Sequence, residues 1–208
     1  MVGRTTEQYI QAGVAAFHPE DQVVNKRCGH LGNKEIVDEA VYLSRIRAAV
    51  NVRKKSGRDI VIIARTDALQ LHGYDAAVSR LKSAVKIGAD VAFLEGITSK
   101  EQAKNVCEQL APTPVMLNMV EGGVTPHFTV AEAKESGFKL IIFPGFALGP
   151  VYQAVSAAAK ELMETGDTAK ASVNPSGAGP RELFMVCGLK EAMDFDIAAG
   201  WSTYTKGV

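Results

Sequence analysis

The sequence predicts an α/β fold built on a parallel sheet. Two observations carry the prediction. Short apolar runs, mostly rich in β-branched or aromatic residues, recur along the chain, and longer amphipathic stretches separate them. Strands that alternate with helices join as βαβ units, and such units lay their strands parallel.

The apolar runs are 13–17 (GVAAF), 60–64 (IVIIA), 91–94 (VAFL), 115–117 (VML) and 140–143 (LIIF). Each is too short for a helix and suits a strand covered on both faces. A helix is expected over 40–55, where Val41, Ile46, Ala49 and Val50 recur at helical spacing and Arg45, Arg47 and Arg53 take other positions. Ser99-x-x-Gln102 and Thr129-x-x-Glu132 have the form of capping boxes, in which side-chain oxygens take up orphaned amides. Gly88 and Gly137 stand where a left-handed residue would stop a helix. Beyond the last strand, the pattern gives a helix over 147–165, a loop over 172–179 containing Pro175, and a final helix over 181–198. The last four strand centres are about 25–30 residues apart, close to one βα unit. That period suits part of a (β/α)8 barrel and a five-stranded doubly wound sheet equally well.

Composition narrows the function. The 208 residues are 47% hydrophobic, enough for one domain with a sizeable core. Lys plus Arg number 23 and Asp plus Glu number 23, so no net positive field draws the chain to nucleic acid or an anionic membrane. No apolar run reaches the ~18–20 residues of a membrane span, and the first residues lack the apolar core of a signal peptide. Cys28, Cys107 and Cys187 are widely separated, without a C-x-x-C, and read as thiols of a reducing compartment. Walker, G-x-G-x-x-G and H-E-x-x-H patterns are absent. The expectation is a single cytoplasmic domain over 1–208.

Polar residues follow the strands directly. His18-Pro19-Glu20-Asp21-Gln22 follows the first, Arg65-Thr66-Asp67 the second and Glu95 the third. Asn118 ends the fourth, ahead of Glu121-Gly122-Gly123, and Pro144-Gly145 ends the fifth. In a parallel sheet these ends share one rim, which in a barrel holds the active site. Solvent exposure alone also makes strand ends polar. A second concentration is the loop 25–34, NKRCGHLGNK. Its cations favour the thiolate of Cys28, and Gly29 and Gly32 let the loop bend and close.

Lys26-Arg27-Cys28-Gly29-His30 resembles the signature loop of the isocitrate lyase and phosphoenolpyruvate mutase superfamily, in the K-[KR]-C-G-H form of its bond-breaking branch. His18-Pro19-Glu20-Asp21-Gln22 resembles that family's H-x-E-D-Q, and Ala64-Arg65-Thr66-Asp67-Ala68 its A-R-T-D-A. Phe93-Leu94-Glu95 is similar to F-x-E, and Ile142-Phe143-Pro144 to the last barrel strand. The run from Asn118 to Pro126 (NMVEGGVTP) resembles the dimethylmalate-lyase-like members, near which methylisocitrate-lyase-like and oxaloacetate-hydrolase members also stand.

The resemblance implies a (β/α)8 barrel that depends on Mg²⁺ (or Mn²⁺) and cleaves a carbon–carbon bond beside a 2-hydroxy or 2-oxo acid through an enolate. It implies that Arg65 grips a substrate carboxylate in a bidentate fork, that Glu20 meets the metal, and that Glu95 and Asn118 bond substrate oxygens. Cys28 becomes the general acid, Gly29 and His30 reach a second carboxylate as the loop closes, and Asp67 is structural, bonding backbone at its strand end. It further implies a cytoplasmic homotetramer that exchanges a C-terminal helix, a role open to 181–198 with its stripe of Leu183, Phe184, Val186, Leu189 and Met193.

Two departures modify this. Tricarboxylate-cleaving members carry an arginine where Gly149 stands, and Val120 follows Asn118 by two residues, which points from a tricarboxylate to a dicarboxylate. The family's first three strands, with their aspartate-rich D-x-D-T-G-[FY]-G metal segment, have no counterpart here. The expected form is an incomplete barrel of about five parallel strands over 1–165 and a C-terminal helical segment over 166–208. The same departure opens a second reading, a non-catalytic remnant that acts by associating with another chain. A flavodoxin-like binding domain would also hold five strands, but leaves the cysteine loop unexplained.

Overall fold

The structure, a computed structural model, describes residues 1–168 and 179–201. The loop expected over 172–179 therefore lies, apart from Gly179, outside the described residues. The chain divides into two compact units, Met1–Phe146 and Ala147–Val208.

In the first unit the order is α1 (Val2–Gln11), β1 (Ala16–Phe17), α2 (Glu39–Ser56), β2 (Val61–Thr66), α3 (Ala68–His72), α4 (Tyr74–Ile87) and β3 (Val91–Leu94). There follow α5 (Lys100–Leu110), β4 (Val115–Asn118), α6 (Val130–Glu135) and β5 (Leu140–Ile142). All five strands are parallel, in the sheet order β1-β2-β3-β4-β5. That order separates the two candidate folds. A doubly wound sheet reverses its winding at a switch point, whereas this one advances one strand at a time. Its helices accordingly cover a single face, and the unit is a curled half-barrel of the (β/α)8 type.

The two-residue period of the strands sorts the side chains. Ile62 and Ala64 of β2, Ala92 and Leu94 of β3, and Val115 and Leu117 of β4 join Tyr42, Ile46, Leu81 and Val106 in the core between sheet and helices. The intervening residues Ile63, Val91, Phe93 and Met116 form a separate cluster on the inner face. Arg65 stands opposite Phe93 in the ladder, so it too points inward. Glu95 and Asn118 follow Phe93 and Met116 by two residues and continue the same inner rows.

Helix ends follow the expected local chemistry. Thr129 and Glu132 form the expected reciprocal capping box, whereas the box expected at Ser99 forms only in half: its side chain accepts the Gln102 amide, but the longer Gln102 side chain reaches one residue further back and accepts the Thr98 amide and hydroxyl. Gly137 follows α6 at φ +101°, and a Cβ there would lie 2.9 Å from the Cys107 Cβ. The first strand is shorter than 13–17: Gly13 turns the chain at φ +74°, and pairing is confined to Ala16 and Phe17. The five-residue α3 had no expectation attached to it.

The second unit holds α7 (Leu148–Thr165), α8 (Pro180–Val186) and α9 (Leu189–Ala198). The single helix expected over 181–198 is thus two helices. Gly188 takes the left-handed conformation (φ +92°) between them, and an apolar stripe read at helical spacing passes straight over such a break. None of the described residues of α7, α8 or α9 is buried. No helix among the described residues is long and apolar enough to cross a membrane.

Candidate active site

The C-terminal ends of β1 to β4 bring the polar residues together. Arg65 lies over the Phe93 ring, 5.1 Å from its centroid. Asp67, fully buried just beyond β2, takes Arg65 Nε at 2.9 Å and Nη2 at 3.2 Å. One forked edge of the guanidinium is therefore already occupied, and a substrate carboxylate would meet the edge that carries Nη1. The expectation that Asp67 bonds backbone is corrected here: its side chain holds Arg65 and, at 3.1 Å, Lys34 Nζ. Asp21 performs the backbone task instead. It accepts the Asp67 amide at 2.9 Å, the Thr66 hydroxyl at 2.5 Å and Arg80 Nη1 at 3.3 Å.

Two buried aspartates so close together are driven apart in acidity. For both, burial disfavours the charge. At Asp67 the hydrogen bond and charge of Arg65, with help from Lys34, outweigh burial and hold the carboxyl below the usual range. At Asp21 burial prevails over the Asp67 amide, Thr66 and Arg80, and the carboxyl is pushed up.

Glu95 is 1% exposed and stands at the centre. It accepts Asn118 Nδ2 at 3.2 Å and lies 3.3 Å from Arg65 Nη2 and 3.2 Å from His30 Nε2. This arrangement leaves Asn118 Oδ1 buried without a donor. His30 Nδ1 accepts the Val124 amide at 3.3 Å, which assigns its ring proton to Nε2, facing Glu95. Glu20 continues β1 and bridges to Arg65 in parallel fashion. Its Oε1 meets Lys26 Nζ at 2.6 Å, and its Oε2 lies 3.1 Å from Arg65 Nε. The single hydrogen on that nitrogen goes to Asp67, so Glu20 Oε2 is an acceptor with no donor aimed at it.

The 25–34 loop is pinned at its neck and folded over the rim. Val23 donates to the Glu35 carbonyl at 3.0 Å and Val37 to that of Asp21 at 2.8 Å. The Gln22 side chain brackets the backbone of Arg27 from both sides, each bond 3.1 Å long. Gly29 rests on the charged pair beneath it: a Cβ there would lie 2.6 Å from Glu95 Cγ and 2.8 Å from Arg65 Nη2. The structure thus gathers Glu20, Gly29, His30, Arg65, Glu95 and Asn118 on one rim. Cys28 sits beside Gly29 on the loop, exposed, with no hydrogen bond to its thiol among the described residues.

For a metal, the described residues contain no group of three or more His, Cys, Asp or Glu placed to hold one. Glu20 Oε2 fits a lesser part, one carboxylate oxygen toward a hydrated Mg²⁺, an ion that keeps several waters and takes one or two carboxylates. Two neighbours, His18 and Lys34, stand in the quoted motifs but carry no expected role. His18 packs its ring edge on Phe93, 5.8 Å between centroids, and burial, then the charge of Arg65, lower its pKa below 6.5. Lys34 closes the NKRCGHLGNK loop and is buried; its position after two glycines was the available signal.

Comparison with known proteins places this rim in a family. The family described as phosphoenolpyruvate phosphomutase matches residues 1–163. The chain is 38% identical over 165 residues to 2-methylisocitrate lyase of Escherichia coli, covering 79% of this chain and 55% of that protein. It is 40% identical over 143 residues to 2,3-dimethylmalate lyase of Eubacterium barkeri, covering 69% of this chain and 48% of that one. The chain therefore spans about half the length of the curated relatives it matches. Among solved structures, a 2,3-dimethylmalate lyase superposes with a TM-score of 0.94 at 53% identity, over 100% of this chain and 68% of that one. An oxaloacetate acetylhydrolase bound to 3,3-difluorooxalacetate gives 0.91 at 47% identity, over 98% and 67%. A match running from residue 1 to 163 takes in all five strands and every residue of the rim: the chain belongs to the phosphoenolpyruvate phosphomutase family.

Proposed function

We propose that this chain carries the carbon–carbon lyase chemistry of its relatives, acting on a substituted malate or an oxaloacetate. The observation that supports it most is the closed loop, which sets Gly29 and His30 against Arg65 and Glu95 and brings Cys28 alongside. Arg65, held by Asp67, offers its Nη1 edge to one carboxylate of the substrate. Asn118 Oδ1, buried and unpaired, accepts the 2-hydroxyl. In the retro-aldol direction the 2-hydroxyl of a substituted malate passes its proton to solvent and becomes the carbonyl of a 2-oxo acid; an oxaloacetate reacts as its hydrate, water having added at C2, and that carbon leaves as a carboxylate. The pair of the C2–C3 bond passes into the far carboxylate as an enolate, and Cys28 delivers a proton to C3.

Charge supports a metal in the same reading. Glu20, Asp67 and Glu95 balance Lys26, Lys34 and Arg65, so a dicarboxylate brings negative charge that the rim itself does not offset. Glu20 would hold Mg²⁺ (or Mn²⁺), which when bound supplies Lewis-acid stabilisation of the oxyanion. Gly149, in place of an arginine, favours a dicarboxylate over a tricarboxylate. The reading also includes a cytoplasmic homotetramer joined through C-terminal helices, for which Leu183, Phe184 and Val186 are exposed apolar candidates on α8.

The test is turnover of 2,3-dimethylmalate, oxaloacetate and 2-methylisocitrate with Mg²⁺, followed by NMR. A dicarboxylate should be cleaved in preference to the tricarboxylate. Cys28→Ser should lower kcat by about 10²–10⁴-fold, the usual worth of a general acid. No turnover of any of the three, or equal rates for the wild type and Cys28→Ser, would overturn the proposal.

A further inference from the structure

We infer that Lys34 is a positioning residue: a buried latch that holds the 25–34 loop closed and ties its closure to the orientation of Arg65. Its catalytic consequence rests on the function proposed above, because the loop carries Cys28; the latch itself does not.

The Lys34 side chain is 1% exposed. Its Nζ donates to the Gly29 carbonyl at 2.8 Å and to Asp67 Oδ1 at 3.1 Å. Each partner has a second engagement. Gly29 is the loop residue that lies directly on Arg65 and Glu95. Asp67 Oδ1 is shared with Arg65 Nη2, and Asp67 Oδ2 takes Arg65 Nε. One ammonium thus joins the part of the loop beside Cys28 to the carboxylate that aims the guanidinium.

The energetics favour a two-position device. A buried ammonium is tolerated only while its hydrogen-bond and charge partners are in place. Lifting the loop withdraws the Gly29 carbonyl and leaves Lys34 with Asp67 alone, so opening carries a penalty at Lys34 as well as at Gly29. The neck bonds of Val23 and Val37 lie on the other side of Lys34 from the tip and need not break. The absence of a side chain at residue 29 is what lets its carbonyl reach Nζ while its Cα lies on Glu95.

Trypsin reads the latch directly, since Lys26 and Arg27 are exposed on the loop. With the full chain, cleavage after Lys26 or Arg27 should be about tenfold or more faster in Lys34→Met than in the wild type, because cutting follows the open population when closing is fast and one charge-assisted bond shifts it that far. Cleavage elsewhere in 1–146 should keep its wild-type rate. Gly29→Ala breaks the contact from the loop side and should give the same pattern; if Lys34→Met fails to fold, this variant decides. Unchanged loop cleavage would overturn the latch. So would a parallel rise at all sites, which would make Lys34 an ordinary stability residue. Where the wild type turns over a dicarboxylate, Lys34→Met should lower kcat more than it raises KM. A wild type without turnover removes the proposed function and leaves the trypsin result to decide the latch.

Discussion

Arg65 and Asp67 show how much of this site is preparation. Two of the five guanidinium N–H groups are already used by a carboxylate whose charge burial disfavours and Arg65 restores. A free arginine would need to be ordered by the substrate; this one is ordered beforehand. Removing the carboxylate leaves Arg65 and Lys34 without the charge they share, Arg65 keeping Glu20 and Glu95 nearby and Lys34 keeping only the Gly29 carbonyl. Asp67→Ala is therefore expected to cost about 3–5 kcal/mol in a denaturant titration, as for a broken buried ion pair. His18 gives a pH signature. Its pKa in the folded chain lies below 6.5, so the unfolded chain binds the proton more readily. Its contribution is complete above that value and is lost as pH falls through it toward the folded pKa. Replacing it should flatten the fall in Tm between about pH 7 and pH 5. Arg65, Glu95 and Asn118 were legible in the sequence because each stands at or just past the C-terminal end of a strand. The bonds from Asp67 to Lys34 and from Asp21 to Arg80 cross 33 and 59 residues, and no local pattern encodes them.

At the scale of elements, local chemistry was readable where its signals lie within one turn. The Ser99 cap needs only Gln102, three residues on, and the structure has that bond at 3.1 Å. Ser99→Ala should cost about 1 kcal/mol, measurable as a shift in the urea midpoint with an unchanged slope. The β4–α6 loop is set by a close approach. A Cβ at Gly123 would fall 2.5 Å from His30 Nδ1, so Gly123→Ala should expel the imidazole and accelerate trypsin cleavage of the 25–34 loop. The break at Gly188 was not readable, since apolar residues continue at helical spacing on both sides. The short β1 has a similar cause. Its apolar pattern runs over 13–17, but the chain is still turning at Gly13 and joins the ladder only at Ala16.

The whole-molecule question was which sheet the strands form. Spacing could not separate a barrel from a doubly wound sheet, because both use βα units of one length. The family resemblance chose the barrel, and the sequential strand order bears that out. Sequential winding also explains the chemistry: with the helices of the first unit on one face of its sheet, the inner face holds Arg65, Glu95 and Asn118 in adjacent rows. The central claim is that this rim binds an enolate-like dianion together with a divalent cation. Its most direct test is a thermal melt of the 208-residue chain, alone, with Mg²⁺, with oxalate, and with both. One cooperative transition is expected, its midpoint rising by several degrees only when both are present, as about 2.7 kcal/mol of linkage at a hundredfold excess over Kd would give. A midpoint indifferent to the pair would contradict it.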